Sequence, residues 1–229
     1  MGDVPKIVLP HGGYKSLVVY KKSEVIFQGT VLFCRRFLPA RGDRTVDQMI
    51  QEARSCKQNI AEGSAASGTS KETELKLTNV ARATLDELIE DYRDWLISHN
   101  EAIWTTGDKR VKGVREYAIA HDDWADWKPI FEKREGAVLA NAMLTLCNQA
   151  TYLLDRMIAA QEADFKQHGG VRERMHAART AVRGEAWDKS LYSYLSAATT
   201  PSELAGCEQA AKAQIARIVR QLREHKGWA

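Results

Sequence analysis

Long apolar runs are missing from this sequence. No stretch approaches the roughly 18 to 20 residues that a membrane span requires, and the N-terminus opens on charges and Pro5 instead of a secretory apolar segment. A cytoplasmic protein is the expectation. Cysteine is sparse as well: Cys34, Cys56, Cys147 and Cys207 lie far apart, with no C-x-x-C. The first three sit among apolar residues at helical spacing, which reads as reduced core thiols in preference to a disulfide or metal framework. There is little excess charge of either sign, 33 Lys plus Arg against 30 Asp plus Glu in 229 residues. A net +3 alone is too small to argue for nucleic acid. Only 5 residues are proline, 44% are hydrophobic and 28% are charged, an ordinary globular composition. A chain of this length buries roughly 70% of its unfolded surface and needs no disulfide or metal staple.

What the chain does contain is helical periodicity. Pro5, Pro10 and Gly12-Gly13 make residues 1–13 an N-terminal arm. From Leu17 to Leu38, Tyr20, Phe27, Val31, Cys34 and Leu38 step by seven, four, three and four. A second helix is predicted from an N-cap at Thr45 to Glu62, with Gly63 as its C-cap, a loop over 64–70, and a capping box from Thr69 to Glu72. A third, Lys71 to His99, carries Ala81, Leu85, Leu88, Tyr92 and Trp95 on one face and crowds acids on the other. Residues 100–134 break the rhythm with Gly107, Gly113 and Pro129 and read as an insertion holding a short helix or two. The fourth long helix runs from about Glu135 to Gln167, and Gly169-Gly170 ends it. No alternating strand pattern competes. The predicted fold is all-α: a four-helix bundle over 14–168 with an inter-helix insertion, and a short helical C-terminal suffix over 169–229.

Chemistry is thinly represented. The six histidines are scattered without ligand spacing, and neither a phosphate-cradling Gly-x-x-x-x-Gly-Lys nor a Gly-x-Ser-x-Gly is present. The compact His121-Asp122-Asp123 and Asp126 group reads as a solvated loop or a hard-cation site, and Glu173 to His176 has no second copy. The expectation is no enzyme, no catalytic residue, no metal and no cofactor. Charge is unevenly distributed: residues 1–66 hold ten Lys or Arg against six acids, and residues 67–104 hold four against eight. That pattern suits a polyanion-binding face or charge-complementary self-association.

The stretch Asn59-Ile60-Ala61-Glu62-Gly63, then Ser70-Lys71-Glu72 and Ala81-Arg82-Ala83-Thr84-Leu85-Asp86-Glu87-Leu88, resembles a bacterial four-helix-bundle family. That family includes the S23-like proteins encoded in intervening sequences of large-subunit ribosomal RNA genes and the accessory variability determinants of diversity-generating retroelements. Gly13-Tyr14-Lys15-Ser16-Leu17 fits its start, and 148–156 with 169–174 look like a subset carrying a C-terminal suffix. The resemblance, over roughly 13–160, implies a homo-oligomeric ring, commonly a pentamer, with a basic surface for RNA or other nucleic acid and, in the retroelement members, a reverse transcriptase as partner. Physically the motif reads first as a structural corner: Ile60 in the core, Ala61 for close approach, Gly63 at a left-handed cap, Glu62 pairing with Arg82, and Asn59 bonding a facing helix or the loop.

The candidate nucleic-acid contacts are Lys15, Lys21, Lys22, Arg35, Arg36, Arg41, Arg44, Arg54 and Lys57 on the first two helices, with Arg217, Arg220, Arg223 and Lys226 at the end. Phosphate binding gains from clustered cations by counterion release, and the pairs Lys21-Lys22 and Arg35-Arg36 lie four turns apart on one helix. Replacing these four by Glu is expected to abolish RNA retention without unfolding the bundle. The function expected is thus a non-catalytic RNA- or nucleic-acid-binding accessory protein. The alternative is a protein-only oligomeric scaffold in which basic ends dock the acidic third helix of a neighbour.

Overall fold

The structure, a computed structural model, describes Val8, residues 10–38 and 44–183, Gln209 and Ala213. The fold is all-α, with no strand among the described residues. A single 3-10 turn, Tyr14–Ser16, leads into α1 (Val18–Phe37), followed by α2 (Arg44–Ala66), α3 (Lys71–Ser98), α4 (Lys109–Ala120), α5 (Trp124–Phe131) and α6 (Gly136–His168). Residues 8–172 form one compact unit. Residues 171–183 are helical, and those from Glu173 onward belong to a second unit. The span predicted for the last helix, with Arg217, Arg220, Arg223 and Lys226, lies outside the described residues, as do Arg41 and Cys207.

The four long helices pack in a closed cycle, α1 on α2, α2 on α3, α3 on α6 and α6 back on α1. The heptad positions supply the core between them: Ile26, Phe33, Met49, Ile60, Leu85, Tyr92, Leu139 and Met143 are all at most 1% exposed. Burying such side chains contributes roughly 1.5–3 kcal/mol each. Cys34, Cys56 and Cys147 are buried thiols, and burial pushes the Cys56 thiol up to about 12, so it carries no thiolate chemistry at neutral pH. At the centre the Tyr92 hydroxyl donates to Thr30 Oγ1 at 3.0 Å, and Phe33 packs edge-on against both Tyr92 and Trp95.

The predicted corner between α2 and α3 is revised. Gly63 lies inside α2, buried, and its φ is not positive. A Cβ there would stand 3.4 Å from the Glu74 carbonyl oxygen and from Leu77 Cβ, so the residue serves close approach of α3 and is not a cap. Glycine between two helices at a contact looks the same in sequence as glycine after one. α2 also begins at Arg44, one residue ahead of the expected N-cap Thr45. The cap of α3 is Ser70, whose Oγ accepts from the Thr73 amide at 3.1 Å, in place of Thr69. Gly169, at φ 65°, does terminate α6 as expected.

The insertion holds two short helices, α4 packed on α6 and α5 on α1. Its entry is fastened by Asn141, which is 2% exposed on α6. Asn141 Oδ1 accepts from the Trp104 amide at 2.8 Å, and Nδ2 donates to the carbonyls of Ala102 and Ala137 at 3.0 and 2.9 Å. Asp108 and Asp123 then N-cap α4 and α5 through their side chains.

Candidate functional site

The cations nominated on α1 do not form a face. Lys22 is 5% exposed, and its ammonium donates to the Ala118 carbonyl at 2.6 Å. Lys21 pairs with Asp122 at 2.7 Å. Arg36 donates from Nη1 to the Phe131 carbonyl at 2.8 Å and from Nη2 to the Arg134 carbonyl at 2.9 Å. Ala118 is in the last turn of α4 and Phe131 is the last residue of α5, so Lys22 and Arg36 place positive charge on the terminal carbonyls of two helices, that of Phe131 also accepting from the Arg134 amide at 3.2 Å. Burial lowers the Lys22 pKa, with nearby Asp122 opposing that shift. Three of the four residues proposed as a phosphate clamp therefore hold the insertion against α1.

The remaining nominations scatter. Lys57 lies over the Phe27 ring, 4.6 Å from its centroid. Lys15, Arg35, Arg44 and Arg54 are exposed, on the N-terminal turn, on α1 and on α2. The motif residues are local as well. Asn59 bonds its own helix, through Nδ2 to the carbonyl and hydroxyl of Ser55, and not a facing element. Ile60 is in the core and Ala61 packs against it, as expected. Glu62 is exposed, and Arg82 instead pairs with Asp86 at 3.3 Å and Asp155 at 3.6 Å, which ties α3 to α6.

The most unusual electrostatics lie where sequence reasoning nominated the acidic third helix but no individual residue. Glu52 of α2 and Asp91 of α3 bring two carboxyls together, with Glu87 and Asp94 close enough to act on them. Glu52 Oε2 and Asp91 Oδ2 are both buried and have no hydrogen-bond partner among the described residues. Burial, and then the charge and hydrogen bond of Asp91, push Glu52 from the ordinary 4.5 up to about 8. Asp91 is raised too, by burial first and by Asp94 and Glu87. Arg44 lies along the neighbouring groove with Asp47, Gln48, Gln51 and Glu52, a cavity of about 420 Å³. The ion pairs on this side among the described residues, Arg93 with Glu90 and Arg82 with Asp86, involve none of Glu87, Asp91 and Asp94. The visible signal was the crowding of acids between 86 and 94; the contribution of Glu52 from another helix had none.

No family model matches this chain, and no curated protein or solved structure matches it. The helical stretch that begins at Gly136 with α6 is long and apolar enough to cross a membrane by length and composition, against the expectation from the sequence. Its apolar window is 61% buried inside the fold, as in the core helix of a folded domain. No group of three or more metal-ligating side chains occurs among the described residues.

Proposed function

We propose that this chain is a non-catalytic accessory protein that works as a scaffold, presenting the acidic face of α2 and α3 to a cationic segment of a protein partner or of a second copy. The observation that carries this reading is the exposed Glu87 and Asp94 beside the Glu52–Asp91 pair, two carboxylates that form no ion pair among the described residues. Like charges held together cost stability in the free chain, and a cation placed against them returns it. Self-association of a basic end on this face is a head-to-tail contact, the geometry that closes rings, and a ring fits the family resemblance. That membership, a pentameric state and a cytoplasmic location belong to the same proposal.

The test is light scattering on the full chain across a salt series, beside the variant Glu87→Lys/Asp94→Lys. Oligomers at low salt that dissociate as salt rises, and that the charge-reversed variant does not form, support self-association through this face. A monomer at every salt concentration directs the proposal to a separate cationic partner. An oligomer indifferent to both changes contradicts the acidic face as the contact.

A second reading, RNA or other nucleic acid with a reverse transcriptase as a protein partner, draws on the resemblance and on one structural observation. Lys109, Lys112 and Arg115 on α4 are exposed with Arg35 and Arg54 elsewhere, so the usable cations belong to the insertion more than to α1. Lys112 is partly spent on Glu116, 3.7 Å away. RNA retention lost in Lys109→Glu/Lys112→Glu/Arg115→Glu, with the fold intact, supports it.

A further inference from the structure

Between the insertion and α6 lies a cavity of about 410 Å³, inside the range of small-molecule pockets. Its floor is made by Phe131, Leu139 and Ala142, all buried. At the mouth stand Arg110, Gly113 and Arg134, all exposed. An apolar well with two guanidiniums at its opening matches one ligand chemistry: an apolar body ending in an anionic group.

Both the arginines and the glycine bear on this. Arg110 is fixed in place, its Nε and Nη2 on the Asp108 carboxylate with a shortest distance of 2.6 Å, and its guanidinium 4.4 Å from the centroid of the Trp104 ring. Trp104 is itself held by Asn141. Nη1 takes no part in the Asp108 pairing. Arg134 has no hydrogen bond or ion pair of its guanidinium among the described residues, so it supplies the uncompensated charge. Gly113 sits at an exposed position in the middle of α4, where glycine is a poor helix former. No atom lies within 4 Å of where its Cβ would be, and its φ is not positive. Neither packing nor backbone geometry calls for glycine here, whereas a side chain at 113 would stand in the mouth.

We propose that this pocket binds a small amphiphilic carboxylate, its apolar tail on Phe131, Leu139 and Ala142 and its carboxylate between Arg134 and Arg110. The inference stands apart from the scaffold reading, since it uses no residue of the acidic face.

Titration calorimetry with decanoate, decan-1-ol and acetate on the full chain tests it, all below micellar concentration. Decanoate is expected to bind one to one with a Kd on the order of 100 μM, decanol more weakly and acetate not measurably. Arg134→Gln is expected to weaken decanoate about tenfold and leave decanol unchanged. Gly113→Phe is expected to remove both, while Gly113→Ala keeps both and melts at a higher temperature. Amide shift mapping on the unaltered protein gives a check that needs no variant, with changes expected over 104–117 and 130–142. No decanoate binding at millimolar concentration, binding untouched by Gly113→Phe, shifts centred elsewhere, or equal affinity for decanol and decanoate would each overturn the proposal.

Discussion

Lys22 Nζ, buried in α1, donates to the Ala118 carbonyl in the last turn of α4 at 2.6 Å. Fourteen residues further along the same helix, about 21 Å, Arg36 does the equivalent for the end of α5. One helix of the core thus caps both helices of the insertion.

The first prediction concerns Lys22. Lys22→Met keeps the apolar stem and leaves the Ala118 carbonyl buried without its donor, which costs about 1–3 kcal/mol. Urea unfolding measures the loss, and hydrogen exchange should rise in the last turn of α4 before the rest of the fold. Unchanged stability would show that the bond contributes nothing.

Arg35 and Arg36 are neighbours with opposite fates, and the two alanine variants should separate. Arg36→Ala removes one bond to the carbonyl of Phe131, the last residue of α5, and one to that of Arg134 in the turn after it, and is expected to cost about 1 kcal/mol. Arg35→Ala should stay within about 0.5 kcal/mol of the parent. Equal effects would count against the capping role. For the same reason, the fourfold Glu replacement at Lys21, Lys22, Arg35 and Arg36 should disrupt the insertion, so its loss of RNA retention would not report a binding face.

Asn141→Ala deletes the clamp at the entry to the insertion. Three partners lose a bond at a site 2% exposed, and about 2–3 kcal/mol of destabilisation is expected in a thermal or urea melt. A loss below about 0.5 kcal/mol would mean that residues 100–104 are held by something else.

The Glu52–Asp91 pair makes stability pH-dependent. The folded-state pKa of Glu52 lies above its unfolded value, so its contribution is complete below 4.5 and is lost as pH rises towards about 8. Melting temperature should therefore fall between pH 5 and pH 8 by a few degrees, on the order of 1 kcal/mol after solvent screening. Glu52→Gln should flatten that slope. Asp94→Lys should stabilise the free chain at pH 8 while weakening its attachment to a cationic partner.

The long helices were readable because their signal is local. Leu85, Leu88 and Tyr92, or Leu139, Met143 and Leu146, declare a buried face by spacing alone, and all six are at most 1% exposed. What was misread depends on distant chain. Lys22 looks like a surface cation because the carbonyl that holds it is 96 residues away. Gly63 has the look of a cap, since nothing in its neighbours tells of the Glu74 carbonyl beside it. Glu52 reads as a solvated acid until α3 brings Asp91 against it. The pocket at Trp104, Arg110 and Arg134 depends on three elements meeting, and no single segment encodes it.

One comparison bears most directly on the scaffold reading: fluorescence anisotropy of a labelled Lys- and Arg-rich peptide and of a labelled RNA hairpin, each titrated with the full chain across a salt series. Peptide binding that weakens with salt and fails with Glu87→Lys/Asp94→Lys, without RNA binding at physiological salt, is the predicted result. Micromolar or tighter RNA binding along a linear log-log salt slope, with no peptide binding, would contradict it.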